Sequence, residues 1–416
     1  MTALRIGMVG IGYAGLPMAV ALARAGNQVF GYDIDRHRVD VVNAGRSPVD
    51  TVTGEEIAAL GTDLRASADP AVLAGCEVIL ICAPTPVDRG EPNLRPLLGA
   101  VATVRDQLRP GQLVVVESTT HPGTTDGLVL PVLEESGLVA GVDFNLAYSP
   151  ERIDPGNARF GVANTPRVVG GLTPACRDRA AAVYDQVGQV HLARGMREAE
   201  AAKILENTYR QVNIALVNEF AQICHGMGID VWDTIEAAAT KPYGFASFWP
   251  GAGVGGHCIP ADPLYLVHEA ASQGMAFRMA ETAHEINESQ PLWVADRVCK
   301  ELELGGIPAA GAATVLLLGV TYKADTVDTR HTPAAPIARF LQDRGVRVLC
   351  HDPYANGLAW PGGRIERVPD LDSALAQADM TVLLQRHRQY GPEVFAAARR
   401  LFDTTGSVAT PRTVRL

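Results

Sequence analysis

Six residues near the start of the chain, Gly10-Ile-Gly12-Tyr13-Ala14-Gly15, restrict its possible folds more than any other stretch. They follow an apolar run, Leu4–Val9, and open a helical pattern, Ala14–Ala25, so the glycines sit at a strand-to-helix turn. In that setting Gly10 permits the tight turn, Gly12 lets a pyrophosphate approach the backbone, and Gly15 lets helix and strand pack closely. Free N–H groups at the helix start, with Tyr13 and Ala14 beside them, would meet the phosphates. Asp33 ends a second strand, Gln28–Asp33, where a carboxylate accepts hydrogen bonds from ribose hydroxyls and repels a 2′-phosphate. NAD is therefore expected over NADP, although Arg36 and Arg38 lie close enough in sequence to serve a phosphate. Thr85, after the run Val78–Ala83, and Ser118-Thr119, after Leu113–Glu117, occupy strand ends of the kind that bind ligands in open α/β sheets.

The rest of the first half continues this alternation, with further strands at Phe144–Tyr148, Arg167–Val169 and Gln189–Leu192. From Glu198 to Met227 the period changes. Leu205, Val212, Leu216 and Phe220 fall on one face of a long helix that could carry a dimer interface. A second helix over Ile229–Ala239 leads to a loop rich in glycine, proline and aromatics from Lys241 to Pro263, and helices then run to about Glu301. After a turn-rich linker, Gly305–Gly311, strands return at Ala313–Val320, Val346–His351 and Met380–Leu384. The expected class is α/β: two Rossmann-like doubly wound domains joined by a central helical domain with one long helix. The boundaries read as 1–195, 196–304 and 305–416.

Composition excludes several alternatives. A net charge of −10 argues against nucleic acid or an anionic membrane as the main partner. The longest apolar runs fall well short of the ~20 residues a membrane span requires. Nor does the N-terminal stretch read as a signal peptide. Seven scattered cysteines show no metal-ligand spacing, so neither a metal nor a disulfide framework is expected, and a reducing cytoplasm is.

One cysteine stands apart. Cys258 lies in Gly253-Val-Gly255-Gly-His-Cys-Ile-Pro-Ala-Asp262-Pro, a setting unlike a core and suited to a nucleophile that a substrate can reach. His257 reads as structural. Three more stretches carry chemistry: Tyr148-Ser-Pro-Glu151-Arg152-Ile-Asp-Pro-Gly156 after a strand, Lys203 and Asn207 four apart on the long helix, and Gly319-Val-Thr-Tyr322-Lys323 running on to Arg330.

Together with the glycine fingerprint, these motifs resemble the UDP-glucose/GDP-mannose dehydrogenase family, the nucleotide-sugar 6-dehydrogenases, over essentially the whole chain. The resemblance implies oxidation of a sugar's C6 alcohol to a carboxylate with two NAD, the aldehyde being kept in the site. By it, Cys258 forms a thiohemiacetal and then a thioester. Lys203 and Asn207 stabilise oxyanions, Asp262 assists water, Glu151 serves as general base or acid in hydrolysis, and Thr119 joins them. Substrate contacts fall to Glu151, Arg152, Lys203, Asn207, Tyr209, Gly251, Gly253, Gly255, Tyr322 and Lys323. The cofactor falls to the fingerprint, Asp33, Arg38, Thr85, Ser118, Thr119 and Arg330. A homodimer, or a multiple of it, is implied as well.

The form Glu151-Arg-Ile-Asp-Pro-Gly156, where UDP-glucose members have Glu-Phe-Leu-Arg-Glu-Gly, resembles the N-acetylhexosamine branch, as does Gly-Gly-His-Cys-Ile-Pro. UDP-N-acetylglucosamine or UDP-N-acetylmannosamine is thus the expected substrate, with UDP-glucose or an unusual nucleotide sugar as alternatives. The family's C-terminal Asp-x-Arg is Asp403-Thr404-Thr405 here, and Arg386 or Arg388 could replace the arginine. Two other readings remain open: a two-electron dehydrogenase, which would not need Cys258, and a non-catalytic nucleotide-binding regulator.

Overall fold

The computed structural model describes residues 3–88, 90–154, 157, 159–308, 311 and 313–416. Pro155 and Gly156 of the strand-end motif, and Ala309 and Ala310 of the linker, lie outside the described residues. The chain divides into two compact units, the first formed by 1–206 and 264–275, the second by 207–263 and 276–416.

The first unit is built on eight strands: β1 (Arg5–Val9), β2 (Gln28–Tyr32), β3 (Leu64–Ser67), β4 (Val78–Ile81), β5 (Leu113–Val116), β6 (Asn145–Tyr148), β7 (Arg167–Gly171) and β8 (Val190–Leu192). Their spatial order is β8-β7-β6-β5-β4-β1-β2-β3. All pairs are parallel except β6 with β7, where Tyr148 faces Gly170 in antiparallel register. Alternate residues feed two cores. Val78 and Leu80 join one with Ile6 and Met8, while Ile79 and Ile81 join the other with Val9 and Val114. A sheet buried on both faces reads as continuous apolar runs, which is why these strands were visible in the sequence. The exception is β3, four residues with a polar half, which gives no such run.

The second unit contains β9 (Thr314–Leu318), β10 (Arg347–His351), β11 (Met380–Leu383), β12 (Leu401–Asp403) and β13 (Thr413–Arg415), all parallel in the order β10-β9-β11-β12-β13. Val315 and Leu317 enter one core, Leu316 and Leu318 the other. In both sheets the strand order reverses beside the first strand: β1 lies between β2 and β4, and β9 between β10 and β11. Ligands of doubly wound sheets bind in the crevice beyond the strand ends at such a point.

Four helices matter for the site: α1 (Gly15–Arg24), α2 (Met196–Met227), α3 (Cys258–Ser272) and α4 (Arg278–Leu304). Within the second unit, α2 and α4 meet along a polar seam. Asn218 Nδ2 donates to Asn287 Oδ1 at 3.0 Å and Gln222 Nε2 to Gln290 Oε1 at 2.9 Å. The outer face of α2 leaves Leu216, Phe220, Ile223 and Met227 exposed. Among the described residues, no helix is long and apolar enough to cross a membrane.

The structure departs from expectation at Cys258. The stretch read as loop through Pro263 becomes helix from Cys258 onward. Pro260 falls in the first turn, where backbone N–H groups have no intrahelical acceptor and a missing one costs nothing. Only Pro263 removes an internal bond. Two prolines and an aspartate in six residues concealed a helix start.

Candidate active site

In the first unit the three fingerprint glycines have three different surroundings. Gly10 adopts φ +91°, and a Cβ there would lie 2.5 Å from the Cys82 carbonyl oxygen. A Cβ on Gly15 would come within 1.9 Å of the Gly10 carbonyl oxygen. Gly12, by contrast, faces open space, with nothing within 4 Å of an added Cβ. Helix α1 begins after Ala14 without a side-chain cap, so its first N–H groups point outward. This cradle suits a pyrophosphate. Asp33 is buried at the end of β2. Its carboxylate accepts from Ile11 N at 3.0 Å, Asp35 N at 2.9 Å and Arg38 Nη1 at 2.8 Å. A carboxylate offers about four acceptor positions, which leaves one for a ribose hydroxyl. Arg38 is engaged by Asp33 rather than held ready for a 2′-phosphate. These residues fit NAD.

The strand-end loops nearby are tied to one another. Ser118 Oγ donates to Ala83 O at 2.8 Å, Tyr148 Oη to Ser118 O at 3.1 Å, and Tyr265 Oη to Thr85 O at 2.8 Å. Buried Glu200 accepts from Thr125 N and Oγ1, Gly123 N and Thr120 Oγ1, fixing the segment that follows Thr119. Burial pushes the Glu200 carboxyl up, and the Thr125 and Gly123 bonds oppose the shift. Glu151 is half-buried. Oε1 accepts from Ile153 N at 2.5 Å, and Oε2 from Arg167 Nη1 at 3.1 Å. Arg152, expected at the substrate, is held by Glu206 at 2.6 Å and by the Pro166 carbonyl. Lys203, on α2, is buried with 8% of its surface exposed.

In the second unit, Asn207 Nδ2 donates to Asp262 Oδ2 at 2.5 Å, both residues being buried. This bond orients the amide and uses one of its two N–H groups, so the other can serve a substrate. Cys258 opens α3 and is exposed, whereas five of the other cysteines are buried and Cys82 is half-buried. A helix start favours a thiolate. Arg330 lies within electrostatic reach. Its guanidinium sits above the usual range, first through the Asp328 hydrogen bonds, with smaller contributions from Cys258 and Tyr322 as anions. Burial pushes His257 down, and Arg330 and His331 add to that.

The glycines before Cys258 are packing residues. A Cβ on Gly256 would strike the Tyr322 ring at 2.7 Å, one on Gly255 the Tyr322 Cβ at 2.7 Å, and one on Gly253 the Pro291 ring at 2.8 Å. Gly256 N also donates to Arg330 O at 2.9 Å. Gly251 has open space around it, while its backbone is held by Asn218 and Gln290. Tyr209 is exposed and stands edge-on to Phe248 at 5.7 Å. The loop carrying Tyr322 and Lys323 is anchored by buried Asp352, which accepts from Val320 N at 2.6 Å, Thr321 N at 3.1 Å and His387 Nε2 at 3.0 Å. Sequence reasoning missed this anchor, as it missed Glu200 and Tyr265. Only Asp352, a carboxylate directly after an apolar strand, left a signal that could have been followed.

Comparison with known proteins gives a consistent picture. Three domains of the UDP-glucose/GDP-mannose dehydrogenase family match in order: the NAD binding domain over residues 4–188, the central domain over 197–289 and the UDP binding domain over 316–410. Protein CapL of Staphylococcus aureus is 39% identical over 84% of this chain and 82% of its own length. The UDP-N-acetyl-D-glucosamine 6-dehydrogenase of Pseudomonas aeruginosa is 36% identical over 86% of this chain and 84% of its own. The solved structure of a UDP-D-ManNAc dehydrogenase from Pyrococcus horikoshii superposes with a TM-score of 0.90 at 31% identity, covering 99% of both chains.

Two predictions follow from the geometry. Gly12→Ala should fold normally and weaken NAD binding by about tenfold, because the new methyl occupies ligand space. Gly15→Ala should lower the melting temperature as well as abolish binding. NAD titration alongside thermal melts tests the contrast, and equal behaviour of the two variants would refute it. Limited alkylation near neutral pH should label Cys258 alone. Burial pushes Cys76 up to about 11 and Cys350 to about 12, raises Cys82, Cys224 and Cys299, and encloses Cys176. Peptide mapping that found Cys82 modified first would contradict this.

Proposed function

The chain belongs to the UDP-glucose/GDP-mannose dehydrogenase family, and from that premise we propose that this NAD-dependent nucleotide-sugar dehydrogenase carries a C6 alcohol to the carboxylate through a thioester on Cys258. The observation that carries this reading is Cys258 itself, an exposed thiol at a helix start within reach of the Arg330 charge. A dehydrogenase that stopped at the aldehyde would have no use for it.

NAD, when bound, supplies the hydride acceptor for both oxidations. The chain's residues do the remainder. Lys203 and Asn207 hold the oxygen that becomes an alkoxide, with Asp262 fixing the Asn207 amide. The Cys258 thiolate adds to the aldehyde carbon and gives a thiohemiacetal, whose C–H bond can then deliver hydride, as the free aldehyde's cannot before a nucleophile has added. The thioester so formed is hydrolysed by water, with Glu151 taking the proton.

For the sugar, the Glu151-Arg-Ile-Asp form and relatives named for UDP-N-acetylglucosamine and UDP-N-acetylmannosamine support a UDP-N-acetylhexosamine. Seven scattered cysteines without a disulfide framework suit a reducing cytoplasm. The exposed apolar face of α2, with Leu216, Phe220, Ile223 and Met227 at helical spacing, supports a dimer.

A panel of UDP-N-acetylglucosamine, UDP-N-acetylmannosamine, UDP-glucose and GDP-mannose, scored by NADH release, tests the reading. About two NADH per N-acetylhexosamine are expected, as an alcohol-to-acid oxidation requires. One NADH per sugar would limit the enzyme to the aldehyde, and preference for UDP-glucose would overturn the substrate. Cys258→Ala should retain NAD binding and make no acid, so undiminished acid from that variant would sink the thioester. Phe220→Asp should halve the mass seen by sedimentation, and an unchanged mass would remove the α2 face from the interface.

A further inference from the structure

Behind Glu151 the first unit buries a charged cluster that none of these roles employs. Glu117, just past β5, is 1% exposed. Its Oε1 accepts from the Tyr184 hydroxyl at 2.5 Å and its Oε2 from the Cys82 thiol at 3.1 Å. Arg167, which opens β7, is 2% exposed. Its Nη2 lies 3.0 Å from Glu117 Oε1, and its guanidinium covers the Tyr184 ring at 4.9 Å. The Nη2 contact is an ion pair without hydrogen-bond alignment, since Nη2 and Nε have no hydrogen-bond partner among the described residues. An aligned bond of this guanidinium goes outward, from Nη1 to Glu151 Oε2 at 3.1 Å.

Such a cluster is a poor source of stability, because well-packed apolar residues in its place commonly do as well. Its arrangement suits a different task. One guanidinium serves two carboxylates, one sealed and one at the edge of the strand-end crevice. Burial opposes the Arg167 charge, but Glu117 and Glu151 outweigh it and hold the cation well above its ordinary range. Burial, then the Glu117 charge, also keeps Cys82 and Tyr184 protonated as donors. When Glu151 takes up a proton, Arg167 therefore still has Glu117, and no buried cation is left uncompensated. Burial pushes the Glu117 carboxyl up and the Arg167 charge opposes that shift, whereas Glu151, partly exposed, is the carboxylate of the two that water can reach.

We propose that Arg167, anchored by Glu117 and Tyr184, is the positioning residue for Glu151 in hydrolysis of the acyl enzyme, an inference that rests on the roles given above to Cys258 and Glu151. In that step the water oxygen bonds to the thioester carbonyl carbon and a water proton passes to Glu151. The C–S bond then breaks, Cys258 leaves as thiolate, and the acid gives its remaining proton to solvent as it departs as carboxylate. Arg167 holds Glu151 in one orientation as acceptor and leaves both hydride transfers untouched.

The test is pre-steady-state NADH release with intact-mass analysis of quenched enzyme, using the nucleotide sugar that the wild type turns over fastest. Arg167→Lys keeps the charge but cannot bridge both carboxylates. It should show a burst of about two NADH per subunit, a steady-state kcat lowered about tenfold or more, KM little changed, and an acyl adduct on Cys258. Normal kcat, or a lowered kcat without adduct, would overturn the proposal. Glu151→Gln separates this from the underlying reading. Adduct with Glu151→Gln but not Arg167→Lys defeats Arg167 alone, and adduct with neither defeats the hydrolytic role of Glu151. If thermal melts show Arg167→Lys unfolded, Tyr184→Phe decides, since it removes one hydroxyl from the anchor. Adduct accumulation in that variant supports the proposal, and its absence overturns it.

Discussion

Parallel strand pairing is the constraint on which the rest of this structure depends. It places the carboxyl ends of neighbouring strands along one edge of a sheet, whatever side chains follow. In the first unit that edge carries Gly10 and Gly12 after β1, Asp33 after β2, Thr85 after β4, Ser118 and Thr119 after β5, and Glu151 after β6. In the second it carries Tyr322 and Lys323 after β9, Asp352 after β10 and His387 after β11. Residues as far apart in sequence as Gly10 and Glu151 thus reach one rim without any loop having to find another. Most of the strands are apolar, and the polar residues named here lie in the loops that follow them.

The loops are then held by buried acceptors. Glu200 collects donors from Gly123, Thr120 and Thr125, and Asp352 collects Val320 and Thr321. An unpaired buried carboxylate would be costly, whereas one surrounded by backbone N–H groups fixes a loop at little net expense. The second unit adds a contact of another kind, the Tyr322 ring lying where Gly255 and Gly256 have no side chains. The glycines ahead of Cys258 serve an aromatic lock, and Cys258 follows directly on a tightly packed segment. Flexibility is not what these glycines supply.

Legibility in the sequence followed locality. The fingerprint was readable because each glycine answers to a neighbour within a few residues or to an adjacent strand: Gly15 to Gly10, Gly10 to Cys82. The apolar strands were readable because both of their faces are buried. Asn207 and Asp262 could each be singled out in the sequence, but not the bond between them across fifty-five residues. Arg167 and Glu117 were passed over because a charge beside a strand looks like an ordinary terminus until its partner, fifty residues distant, is known. The start of α3 was hidden by prolines whose harmlessness depends on falling in a first turn.

The C-terminal unit shows how one departure from a family pattern changes the local hydrogen bonding. Where the family resemblance leads to an arginine, this chain has Thr405, and Asp403 is occupied by its own turn, accepting from Thr405 N at 2.8 Å, Thr405 Oγ1 at 2.7 Å and Val408 N at 2.8 Å. A threonine hydroxyl committed in this way cannot reach outward as a guanidinium does. Two arginines follow β11, and both begin engaged: Arg386 with Ser407 O at 2.6 Å, Arg388 with Asp325 at 2.9 Å. The two differ in how easily they can be redirected. Arg388 is 83% exposed, and an exposed ion pair contributes roughly 0–1 kcal/mol, so a phosphate or sugar hydroxyl can compete for it at small cost. Asp325 would not be stranded by the exchange, because Arg388 N also donates to it at 2.9 Å. A cation drawn from a surface pair selects less sharply than a dedicated one, because its partner competes with every ligand for it.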